Sequence, residues 1–142
     1  MNMDPSNLQR HQIIENLTTP PTGNVADAAV VLWSQMAAKI ISIVGEGGFH
    51  SLFARSIFLA QSSYPWLATG GLSVQKEQRF TDLKKCLEAQ TPAQANAANN
   101  LLLITFTDIL TSLIGEELTT SILRSAWGVK ASNQSGKEFK NE

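Results

Sequence analysis

An all-α fold is the expectation for this chain, and three observations predict it. Apolar residues recur at alternating intervals of three and four, helix-ending signals of glycine and proline punctuate them, and one pattern of helix, glycine and helix occurs twice. The expected architecture is a single five-helix bundle of two pseudo-symmetric helical hairpins over residues 25–128. It is flanked by an N-terminal tail, 1–24, and a polar C-terminal tail, 129–142.

The first helix is expected over 25–44, where Val30, Trp33, Ala37, Ile40 and Val44 keep one face turned inward. Gly45 follows at the position where a left-handed C-terminal cap favours glycine, and Gly47-Gly48 keeps the connection short. A second helix over 49–61 turns Phe49, Leu52, Phe53, Ile57 and Ala60 inward, and Tyr64-Pro65 stops it. The stretch 66–73, with Gly70-Gly71, reads as a loop between halves. A third helix over 74–89 places Phe80, Leu83 and Leu87 on one face, with Asp82/Lys85 and Lys84/Glu88 as solvent-side pairs.

Thr91-Pro92-Ala93-Gln94 has the form of a capping box with proline at the first helical position, so a fourth helix starts there and runs to Ile114. It is apolar nearly all round from Leu101 onward and is expected to be central. Gly115 ends it, and Glu116 opens a fifth helix to Trp127 with Leu118, Ile122 and Ala126 inward. Before the first helix, Pro20-Pro21-Thr22-Gly23 is a break, and Ile13-Ile14 with Leu17 suits a short docking helix.

The repetition pairs Ser42-Ile43-Val44-Gly45-Glu46 with Ser112-Leu113-Ile114-Gly115-Glu116. It continues by pairing Phe53-Ala54-Arg55-Ser56-Ile57-Phe58 with Ile122-Leu123-Arg124-Ser125-Ala126-Trp127. The spacing differs by one residue, which the turn at Gly47-Gly48 can absorb. Two such hairpins pack naturally about a pseudo-twofold axis.

Composition narrows the function. Hydrophobic residues make up 43% and charged residues 16%, so this chain has apolar surface to hide in a partner. Eleven basic and twelve acidic residues, with no basic block longer than Lys84-Lys85, argue against nucleic acid, which selects clustered cations. The single cysteine, Cys86, excludes an intramolecular disulfide and every multi-cysteine metal site, and the cytoplasm is the expected compartment. Residues 1–24 lack a secretion-signal pattern. The most apolar run, Leu101 to Ile114, is too short and too polar, with Asp108 near its middle, for a membrane span.

The polar residues that merit attention are Glu46, His50, Arg55, Asp108, Glu116 and Arg124. In the structural reading, each glutamate complements the positive end of a helix dipole and an arginine closes an ion pair, with Asp108 among its acceptors. In the functional reading, Arg55 and Arg124, with His50 nearby, anchor an anionic ligand between the hairpins. The structural reading is the stronger, because no catalytic arrangement surrounds these groups. Gly45-Glu46-Gly47-Gly48 lacks the lysine and preceding strand of a phosphate loop. With His11 and His50 as the only histidines, no metal site, cofactor or Ser/His/Asp set is expected. Cys86 reads as an inert, half-buried thiol.

These features favour a non-enzymatic protein interaction or regulatory module, a homodimer or the partner of another helical protein. The alternative is a small-ligand sensor that takes an apolar or anionic metabolite between the hairpins.

Overall fold

Three-and-four spacing produces helices along most of the described residues. The computed structural model describes residues 5–18, 24–69 and 76–128, and these contain five α-helices and no strand. They are α1 (Pro5–Thr18), α2 (Val25–Ala60), α3 (Lys76–Glu88), α4 (Pro92–Ile114) and α5 (Glu116–Trp127), with a short 3-10 helix at Pro65–Thr69. The C-terminal tail and the segments 1–4, 19–23 and 70–75, with the Gly70-Gly71 part of the expected loop, lie outside the described residues.

The helices expected over 25–44 and 49–61 are the two limbs of α2, parted at Gly45 as expected, and α1 precedes them. The limbs meet at Gly45, whose φ of 84° and ψ of 166° lie in a region essentially reserved for glycine. One residue in that conformation redirects the chain, so helix resumes at once and Gly47-Gly48 lies within it. Gly115 joins α4 to α5 in the same way, with φ 94° and ψ 156°. Its N–H donates to the Thr111 carbonyl at 2.8 Å, and its own carbonyl accepts from the Thr119 N–H at 3.2 Å.

Other helix ends follow their local chemistry. The Asn24 side chain accepts from the Asp27 N–H at 2.9 Å to open α2. Thr91 accepts from the Gln94 N–H at 3.2 Å to open α4, with Pro92 at its first turn. Gly128 closes α5 in the left-handed conformation, its N–H bonded to the Arg124 carbonyl.

The core forms where α2 packs on α3, α4 and α5. Trp33 is wholly buried at its centre, edge-on to Phe53 and Phe106 with ring centroids at 5.2 and 5.3 Å. Its indole N–H donates to Asn99 Oδ1 at 2.8 Å, which satisfies both polar groups away from water. Phe49 and Phe80 extend the aromatic cluster. At its edge, the Trp127 indole donates to the Leu32 carbonyl at 2.9 Å and ties α5 to α2. Trp66 is half-buried and packs edge-on to Tyr64 at 5.8 Å.

The helix suggested by Ile13-Ile14 forms as α1, with Ile13 and Ile14 buried and Leu17 largely exposed. It rests on α4 and α5. Two helices, α2 and α4, are long and apolar enough to cross a membrane by length and composition. Their outward faces are mixed: Asp27, Gln35 and Lys39 on α2, and Gln94, Asp108 and Ser112 on α4, are exposed.

The two corners set an expected contrast in stability. A Cβ on Gly45 or Gly115 meets open space, so an alanine there is penalised by its backbone alone. Gly45→Ala and Gly115→Ala should each destabilise by about 1–3 kcal/mol. Gly47→Ala, in helix with room for a methyl group, should stabilise by about 0.5–1 kcal/mol. Urea denaturation of the three variants checks both signs, and equal effects at Gly45 and Gly47 would refute the corner assignment.

Candidate functional site

The polar centre of the molecule is assembled around a residue from the segment expected to be a tail. Arg10 lies on α1 with Ile13, Ile14 and Thr18 on its buried side, and its side chain is only 1% exposed. A guanidinium removed from water requires acceptors in its own plane, and α4 and α5 supply them. Arg10 Nη1 donates to Asp108 Oδ1 at 2.7 Å and to Thr107 Oγ1 at 2.8 Å. Arg10 Nε and Nη2 form a fork on Glu116, with Nε to Oε2 at 2.8 Å and Nη2 to Oε1 at 3.2 Å.

The acceptors are themselves held in place. Glu116 is the first residue of α5, where the positive end of the helix dipole favours a carboxylate, and Thr120 one turn later donates to its Oε2 at 3.0 Å. The Thr107 hydroxyl donates to the Leu103 carbonyl at 2.9 Å, which leaves the oxygen's lone pairs towards Arg10. Asp108, half-exposed, also meets His11 Nε2 at 3.0 Å. Burial works to lower the Arg10 pKa, but hydrogen bonds and charge from Glu116 and Asp108 outweigh it and raise the group above its ordinary value. The guanidinium is therefore charged at any physiological pH.

Of the six residues singled out from sequence, the structure brings two together. Asp108 and Glu116 share Arg10, and among the described ion pairs neither meets Arg55 or Arg124. Arg55 lies on the exposed side of the second limb of α2, and Arg124 is half-buried on α5. Glu46 is exposed at the start of the second limb. His50, one turn on, is half-buried, and its Nδ1 is buried with no hydrogen-bond partner among the described residues. The glycine-rich stretch around Glu46 is a helix corner, without a loop to cradle a phosphate. Cys86 is half-buried on α3.

The residue that sequence reasoning missed is Arg10. Arg10, Ile13, Ile14 and Thr18 fall at i, i+3, i+4 and i+8, a single helical face, and the charged first member disguises it. A second tie is more exposed: Lys84 on α3 donates to Asp27 on α2 at 2.9 Å and approaches Glu88 at 3.8 Å. The hydrogen bond to Asp27 raises the Lys84 pKa.

The cluster has the chemistry of a clamp. Every Arg10 contact described is spent on α4 and α5, and a guanidinium fully engaged with carboxylates neither transfers protons nor attacks a substrate. No group of three or more His, Cys, Asp and Glu side chains suited to a metal ion occurs among the described residues. Among the described residues, two surface cavities lie away from the clamp. One, about 380 Å³, is lined by Glu15, Asn16, Asn96, Ala97 and Asn100, and the other, about 230 Å³, lies between the start of α2 and the α3–α4 connection. Neither contains Arg55 or Arg124. The chain matches no known protein family, no curated protein and no solved structure.

Removing an acceptor should be more damaging than removing the base. Glu116→Ala strands a buried cation and should destabilise by about 3 kcal/mol, the lower end for breaking a buried pair because half-exposed Asp108 still screens it. That corresponds to a fall in melting temperature of roughly 6–12 °C. Arg10→Met, which leaves two carboxylates that water can reach, should fall by less. Thermal unfolding of both variants checks the order, and the reverse order would refute the clamp.

Proposed function

We propose that this protein is a non-enzymatic helical interaction module that pairs with a second copy of itself or with another helical protein. The observation that carries this reading is the apolar surface left on its helices. Phe58 is 64% exposed, Leu113 65%, Val31 54%, Ile43 49% and Leu118 45%. Single exposed apolar residues are ordinary, but Ile43 and Leu113 recur at matched positions, two residues before each glycine corner. Side chains of this kind suit the apolar stripe of another helix.

The polar residues on the outward faces of α2 and α4 support a protein that works in water rather than one that crosses a membrane. The engagement of Arg10, Asp108 and Glu116 with one another supports a structural use of the strongest charged groups. The ligand-sensor alternative would need a cavity holding Arg55 and Arg124, and neither described cavity supports it.

Association is the direct test. Sedimentation of the full chain across micromolar concentrations should show a species of twice the 15.4 kDa chain mass. The double variant Phe58→Asp/Leu113→Asp should weaken that association at least about tenfold, the equivalent of about 1.4 kcal/mol, while leaving the melting temperature close to wild type. A wild-type chain that stays monomeric throughout and captures no helical partner would overturn the proposal.

A further inference from the structure

The two halves repeat more than their hairpins. Burial recurs at an interval of 70 along both limbs of α2: Met36, Ala37, Ile40, Leu52 and Phe53 are buried, as are Phe106, Thr107, Leu110, Ile122 and Leu123. Ser42 and Ser112 each bond the carbonyl three residues back at 2.6 Å, and each precedes a glycine corner. At this interval Arg55 stands opposite Ser125, and Arg124 opposite Ala54.

The leading helices repeat as well, at an interval of 69. Buried Ile14 and Thr18 of α1 correspond to buried Leu83 and Leu87 of α3, and in sequence Gln9-Arg10 corresponds to Gln78-Arg79. The unit is therefore three helices: α1 with the limbs of α2, then α3 with α4 and α5. Each leading helix packs chiefly on the other unit, α1 on α4 and α5, and α3 on α2. This crossed packing is how two separate molecules hold each other when they exchange an element.

We propose that two copies of this chain pair by exchanging α1, each α1 lying across the α4–α5 corner of the other copy. The inference rests on the pairing proposed above and specifies its contact. The α1 site is made by the second unit, so its residues do not depend on which chain supplies α1. Arg10 would find the same Thr107, Asp108 and Glu116 within a chain or between two. The contact is equivalent in both arrangements and cancels between them, so the balance passes to new surface buried between the copies. Exposed Val31, Ile43 and Leu113 supply such surface.

The test uses full-length chains in a Cys86→Ala background. Thr18 on α1 accepts a hydrogen bond from Asn100 Nδ2 on α4 at 2.9 Å, so this pair reports the α1 site. Copies carrying Thr18→Cys and copies carrying Asn100→Cys are unfolded, refolded together and treated with a short bismaleimide. Exchange predicts a cross-linked species containing one of each, several-fold above that from either variant alone. In a second measurement, Arg10→Met copies are refolded with Asp108→Asn/Glu116→Gln copies. Exchange places an intact clamp at one site of the mixed pair and removes the opposing charges from the other, so the mixture should melt above either variant alone. A dimer by sedimentation that gives neither the cross-link nor the rise in melting overturns exchange and leaves pairing standing. A chain that stays monomeric overturns exchange and self-pairing alike, and leaves only a different helical partner for the reading above.

Discussion

Trp33 is the contact on which the arrangement of helices depends. An indole of that size fills a core only where several elements supply walls at once. Here the second limb of α2 contributes Phe53, α3 contributes Phe80, and α4 contributes Phe106. Edge-to-face rings fix orientation as well as area, and the hydrogen bond to Asn99 fixes the position of α2 along α4. An apolar residue at position 33 could fill the space without specifying that register.

The Arg10 clamp acts on a different scale. The apolar face of α1 is short, with Ile13 and Ile14 as its deeply buried aliphatic members, and so small an area holds a helix weakly. The bidentate fork on Glu116 and the bond to Asp108 add direction and strength to that contact. Burial of the cation makes the arrangement demanding: with its acceptors present it secures α1, and without them it becomes a liability at the same place. The clamp also joins α4 to α5 around Gly115, since Asp108 and Glu116 lie on opposite sides of that corner.

Much of the fold was legible from residue spacing. The Thr91-Pro92-Ala93-Gln94 cap, the breaks at Gly45 and Gly115 and the buried stripes through Trp33, Phe53, Leu83 and Ile122 are local signals, and local signals survive into the structure. That a single residue turns the chain at Gly45, with Gly47-Gly48 already back in helix, was not legible, because a glycine's φ and ψ are set by what packs around the corner and not by its neighbours in sequence. Half of the polar centre was legible: Asp108 stood out as a charge in an apolar helix and Glu116 as a first-turn acid. Their base was not, since Arg10 lies about a hundred residues away in sequence and begins a segment whose polar composition reads as a tail. Matching Arg55 to Arg124 relied on identities at solvent-accessible positions, where composition is weakly constrained.

The glycine corners also bear on how such a chain can change over generations. A helix advances about 100° per residue, and neither corner has a loop to take up a change in length. One residue inserted between Trp33 and Gly45, or between Phe106 and Gly115, would swing the following helix around its axis and present its polar side to the core. The connections between Ala60 and Pro65 and between Glu88 and Pro92 carry no such phase relation. Length variation among descendants of this sequence should therefore concentrate in those connections and at the chain ends, while the stretches leading into the corners keep a fixed residue count even as their side chains drift.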